Sequence, residues 1–97
     1  MQTKERKNLQ AKLRRKYNYH SIPLQKGVML EKDTKENERI RFTIRPEQCN
    51  NPSGITMYTV GKEYAECLHC SINIEELRII VQIYDELTKE YRNEFTI

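Results

Sequence analysis

The stretch "CLHC" places Cys67, His69 and Cys70 within four residues, with Cys49 and His20 elsewhere in the chain. These are the residue types that hold zinc, but a chelating Cys-x-x-Cys needs a turn and normally a second such pair. The surrounding "YAECLHCSI" instead reads as an extended strand, which sends Cys67 and Cys70 to opposite faces. Cys70 is then expected to pack as a small apolar residue with Leu68 and Ile72, while Cys67 and His69 share the other face. A nucleophile built from Cys67 with His69 or His20 lacks an orienting group and an oxyanion loop. The sequence therefore predicts neither an enzyme nor a bound metal or other cofactor.

A second stretch, "RIRFTIR", sets Ile40, Phe42 and Ile44 on one parity and Arg39, Arg41, Thr43 and Arg45 on the other. If the apolar set faces a core, the guanidinium groups lie on the open side of a sheet. With Tyr58 or Tyr64 on the same face they supply the cations and stacking groups that single-stranded nucleic acid uses. The competing reading is cross-strand pairing of the arginines with Glu31, Glu63 or Glu66, since opposite charges on neighbouring strands attract.

Charge is distributed unevenly. Residues 1–20 hold Lys4, Arg6, Lys7, Lys12, Arg14, Arg15 and Lys16 against Glu5 alone, a net +6, whereas the other 77 residues carry 10 basic and 13 acidic groups, a net −3. Such a segment fits polyphosphate or an acidic protein surface, or is simply a solvated helix kept soluble by its charge. Leu9, Leu13 and Tyr17 recur at i, i+4 and i+8, so residues 3–17 are predicted to be a helix with Thr3 as its N-cap. Its apolar stripe is narrow, enough to dock on something but not to make a core. Pro23 is read as stopping any continuation.

The elements that would position these groups follow from periodicity. "KGVMLEK", "RIRFTIR", "ITMYTV" and "YAECLHCSI" read as four strands, joined by the turn "DTKENE", the loop at residues 46–54 and the short "GKE". The expected sheet is an antiparallel four-stranded meander over about residues 27–72. Asn73 followed by Glu76 resembles a capping box and opens a helix from about 74 to 92. Ile74, Leu77, Val81, Tyr84 and Tyr91 lie on one face, and Ile79, Ile80, Ile83 and Leu87 widen the apolar surface well beyond one stripe. A single sheet face cannot cover both, so the extra apolar residues need the N-terminal helix, the tail residues Phe95 and Ile97 or a second subunit; the last is the favoured reading and predicts a homodimer with Ile79 and Ile83 at its interface.

Ninety-seven residues with 37% hydrophobic and 32% charged content bound the chain to one polar domain with a modest core. The fold class is α+β: a basic N-terminal helix or arm at 1–20 and a single α+β domain at 21–97. No apolar run reaches membrane length, so no membrane partner is expected. Three cysteines, an odd number, with no export signal read as a reduced cytoplasmic setting.

Four strands closed by a capped helix, with "SINIEE" at the helix start, resemble the positive-cofactor-four family of transcriptional coactivators and its bacterial and phage relatives over residues 26–92. The family's Lys-Gly pair entering the last strand and its helix Trp are replaced here by "LHCSI" and "LRIIVQI". The resemblance implies dimerisation through the helix and single-stranded nucleic acid laid across the sheet. The expected function is a non-enzymatic, sequence-tolerant module for single-stranded DNA or RNA, using the seven cations of the first helix with Arg39, Arg41, Arg45 and Tyr58. The alternative is a small phage or mobile-element inhibitor or adaptor of the anti-CRISPR kind, whose partner is a protein such as a nuclease complex.

Overall fold

A computed structural model describes residues 3–35, 38–46, 54–60 and 72–95. Its elements in chain order are α1 (Lys4–Tyr17), β1 (His20–Leu24), β2 (Gly27–Lys35), β3 (Glu38–Ile44), β4 (Ile55–Val60) and α2 (Ile74–Phe95). The fold is α+β, with four antiparallel strands in the order β1-β2-β3-β4 and a helix at each end of the sequence.

The meander is as expected in type, but its membership differs. β1 was not anticipated: its five residues, "HSIPL", show no alternation in burial and include Pro23. That proline lies in an edge strand, paired with Val28, rather than stopping the helix. An edge is where a strand tolerates a residue without an N–H, and it blunts pairing with other chains. α1 ends at Tyr17, where its periodicity ends, and the cap residue Asn18, with a left-handed φ of 61°, turns the chain: the Asn18 N–H donates to the Arg14 carbonyl and the Tyr19 N–H to the Leu13 carbonyl. The strand expected at 64–72, and with it Cys67, His69 and Cys70, falls mostly outside the described residues, as do Cys49 and the central part of the loop at 46–54.

Strand parity places Val28 and Leu30 of β2 and Ile40, Phe42 and Ile44 of β3 on one face, all buried. Both helices pack there, contributing Leu13 from α1 and Ile79, Ile80, Ile83 and Leu87 from α2, with Tyr19 closing the α1–β1 junction. The basic helix thus shares the sheet's core, with Leu9 and Tyr17 half-buried beside Leu13.

Ile79 and Ile83 are at 2% and 0% exposure, so they are core residues and not an interface. Burying each is worth about 1.5–3 kcal/mol, and the inward line Glu76, Ile80, Ile83, Leu87 and Glu90 fixes which side of α2 meets the sheet. The opposite side carries Ile74, Leu77 and Val81 outward.

Two buried acids on α2 tie the layers together. Glu76 is the predicted capping-box residue: Asn73 N–H donates to its Oε1 at 3.2 Å, while Asn73 Oδ1 accepts from Glu75 N–H at 2.8 Å. Its Oε2 accepts from Tyr19 Oη at 2.9 Å and from Lys32 Nζ at 2.6 Å, and the Lys32 ammonium lies 5.0 Å from the centre of the Tyr19 ring. Glu90 accepts from Arg6 Nε at 2.9 Å and from Thr3 N–H at 2.6 Å. Lys12 and Lys16 reach Glu75 at the other end, so α1 and α2 run antiparallel.

Gly54 makes a further close approach. Its φ is +74°, and a Cβ there would stand 2.6 Å from the Tyr84 ring of α2.

Replacing Glu76 by Gln removes the charge that neutralises Lys32 and should destabilise the fold by about 3 kcal/mol in denaturant titration. Lys32→Met should cost less, because Glu76 keeps its Tyr19 and Asn73 donors. Equal losses for the two variants would show that Glu76 does not act as the junction described.

Candidate nucleic-acid interface

The open side of the sheet is built by register. Across the four strands one row reads His20, Glu31, Arg41 and Tyr58, the next Ile22, Met29, Thr43 and Thr56, and Asp33 stands opposite Arg39. The arginines of β3 therefore sit where the sequence places them, on the face away from both helices, and Tyr58 lies beside Arg41 as expected. Tyr64 is outside the described residues.

These arginines are not open cations. Glu31 is nearly buried and forms an ion pair with Arg41 Nε, and Arg39 reaches Glu31 at 3.5 Å and Asp33 at 3.4 Å. Arg41 also donates from Nη1 to Tyr58 Oη at 3.2 Å and lies 5.3 Å from the centre of that ring. The Tyr58 hydrogen bond, then Glu31, holds the Arg41 guanidinium above its usual range, and donation from Arg41 lowers the Tyr58 phenol. Two arginines against Glu31 and Asp33 leave this patch electrically neutral, the cross-strand pairing that Glu31 made available in the sequence. Arg45 is half-buried: its stem lies against Gly27, where a Cβ would stand 2.6 Å from Arg45 Cγ and 2.4 Å from Ile44 O, and its buried Nε has no hydrogen-bond partner among the described residues.

The cations of α1 divide into three groups. Arg6 is on the inward side, one heptad before Leu13, in a buried pair with Glu90; its Nη1 also donates to Gln10 Oε1 at 2.8 Å. It holds α1 to α2 and presents no charge to solvent, a role its position on the Leu13 face could have signalled. Lys12 and Lys16 flank α2 and share Glu75 at 3.5 and 2.8 Å. The Glu75 hydrogen bond raises the Lys16 amine, and Lys16 in turn lowers the Glu75 carboxyl. That tie is present at neutral pH and is lost as pH falls through the lowered Glu75 value.

Lys4, Lys7, Arg14 and Arg15 form the third group. At 100° per residue they fall, with Ala11, on the outer surface of α1, and all four are exposed with no acidic partner among the described residues. This outer surface belongs to the helix layer, on the other side of the sheet from Arg39 and Arg41. The basic helix and the arginine-bearing face do not form one continuous surface.

Among the described residues no group of His, Cys, Asp and Glu could hold a metal, and His20 is exposed on β1. No helix there is long and apolar enough to cross a membrane. No family model, curated protein or solved structure matches the chain.

Arg41→Ala should cost about 1–2 kcal/mol, more than an exposed arginine would, because it leaves nearly buried Glu31 with the looser Arg39 contact alone. The double variant with Glu31→Ala should recover part of that loss. Additive losses in a double-mutant cycle by urea denaturation would show that the pair is not coupled.

Proposed function

We propose that this chain is a non-enzymatic nucleic-acid-binding module that holds phosphate through the outer face of α1 and is tolerant of base sequence. The observation that carries this reading is the set Lys4, Lys7, Arg14 and Arg15, four exposed cations on one surface of one helix with no acidic partner among the described residues. Lys4 and Lys7 lie one turn apart, and Arg14 and Arg15 stand two turns further on. A helix rises 1.5 Å per residue, so the set spans about 16 Å, the reach of several consecutive phosphates. Its rigidity has a cause in the fold: Arg6, Leu13 and Lys16 fix the helix from within and from the side, leaving the outer cations on a held scaffold.

The open sheet face has a smaller part in this reading than the sequence suggested. Glu31 and Asp33 already satisfy Arg39 and Arg41, so a phosphate there would have to displace a formed ion pair. What that face offers is the Tyr58 ring, half-exposed beside Arg41, a group on which a base can stack. The pattern shared with the positive-cofactor-four family would assign the main contact to this face, whereas the charge balance favours the helix.

Binding of labelled oligonucleotide at several salt concentrations tests the proposal. For a single strand, log affinity should fall linearly with log salt, and replacing Lys4, Lys7, Arg14 and Arg15 together by Ala should reduce the slope by up to about three, at roughly 0.7 per phosphate. All four side chains are exposed, so circular dichroism should be unchanged. The pair Arg39→Ala and Arg41→Ala should leave most of the slope. If that pair abolishes binding while the α1 variant does not, the sheet is the platform. If the parent chain does not bind at low salt, the basic surface meets an acidic protein, and the inhibitor or adaptor reading takes its place.

A further inference from the structure

Where α1 and α2 meet at the surface they leave a groove of about 450 Å³, within the roughly 300–1,000 Å³ range of ligand sites. Leu9, half-buried against the core, supplies its apolar surface. Asn8 of α1 and Gln82 of α2 flank it from opposite helices, both exposed and neither hydrogen-bonded among the described residues. The groove also changes sign along its length. Glu5 and Glu86 line one end, where Glu86 accepts from Thr3 Oγ1 at 3.4 Å, and Lys12 and Arg15 line the other, about 10 and 15 Å further along α1 than Glu5. Glu5, Asn8, Lys12 and Arg15 follow one another at intervals of three or four residues, so they form one line along the helix. Arg15 belongs to two surfaces. At 100° per residue it stands at the border between the groove and the outer face that carries Lys4, Lys7 and Arg14.

We infer that this groove takes one unstacked base of a single strand whose phosphate rests on Arg15, so that the chain binds single strands in preference to duplex. This rests on phosphate binding by the outer face of α1 and adds what enters beside that face.

Charge selects the occupant. A phosphate backbone cannot run down the groove, because Glu5 and Glu86 repel it at the far end, so the backbone stays at the Arg15 and Lys12 end and an uncharged group enters. A nucleobase is an uncharged group tethered to a phosphate. Leu9 meets its face, and the amides of Asn8 and Gln82, each with donors and an acceptor, can pair with the edge of any base. The carboxylates at the far end accept N–H, which every base carries. No one base is thereby required, in keeping with tolerance of sequence. In a duplex the same faces are stacked and the edges paired, and extruding a base has its own cost, so only a single strand offers this group freely.

Binding of a short labelled single strand, of a strand of the same length made only of abasic sugar-phosphate units, and of a duplex provides the test. The parent should bind the base-bearing strand about tenfold more tightly than the abasic one, the scale of two amide hydrogen bonds. Asn8→Ala combined with Gln82→Ala should remove most of that preference while leaving the salt slope and duplex binding unchanged, since neither side chain meets phosphate. Both residues are exposed, so circular dichroism should not change. A double variant that keeps the parent's preference for bases, or that loses duplex binding equally, overturns the inference and leaves the phosphate-binding face of α1 standing. A parent that binds base-bearing and abasic strands alike does the same. A parent that binds no strand at low salt overturns both.

Discussion

One carboxylate joins four parts of this molecule. Glu76 closes the first turn of α2 through Asn73, takes the ammonium of Lys32 from β2, and accepts the phenol of Tyr19 where α1 passes into β1. A carboxylate at 3% exposure survives burial only with such partners, because the desolvation of an unpaired ion exceeds anything packing returns there. The helix dipole acts in the same direction, since Glu76 lies in the first turn, where the unsatisfied N–H groups favour negative charge. The tilt of α2 over the sheet, the depth of Tyr19 and the burial of Lys32 on a face otherwise lined by Val28 and Leu30 are all constrained by this one group.

Much of the fold was legible because it is local. Alternation in "RIRFTIR" assigns Ile40, Phe42 and Ile44 to the core and the arginines to the other face, and Thr3 and Asn73 mark helix starts through bonds to N–H groups two or three residues on. What escaped is non-local or unpatterned. β1 has mostly exposed side chains and a proline, so no period of two exists to detect. α2 is apolar on two sides, and composition alone does not say which one meets the sheet; that choice is made by Lys32 and Tyr19 reaching Glu76 and by Arg6 reaching Glu90, partners 44 to 84 residues away.

The candidate interface was legible in residue type and misleading in availability. Arg39, Arg41 and Tyr58 share a face as parity requires, but Glu31, one strand over, consumes the charge that made them attractive. In the first helix the net +6 is reduced from within: Arg6 is spent on Glu90, and Lys12 and Lys16 on Glu75. Counting charge along a chain measures what could be presented, and packing decides what is.

The Arg6–Glu90 pair also bears on the order in which the structure can assemble. Its partners are 84 residues apart, and the Thr3 bond to the same carboxylate spans 87. The strand pairings β1–β2 and β2–β3 close far shorter loops. Loop-closure entropy rises with the length of free chain between two contacts, so the helix–helix contact is costly until the sheet has shortened that chain. α1 is therefore held by a contact that becomes favourable late, and a disturbance anywhere between the two helices weakens its docking without touching either one.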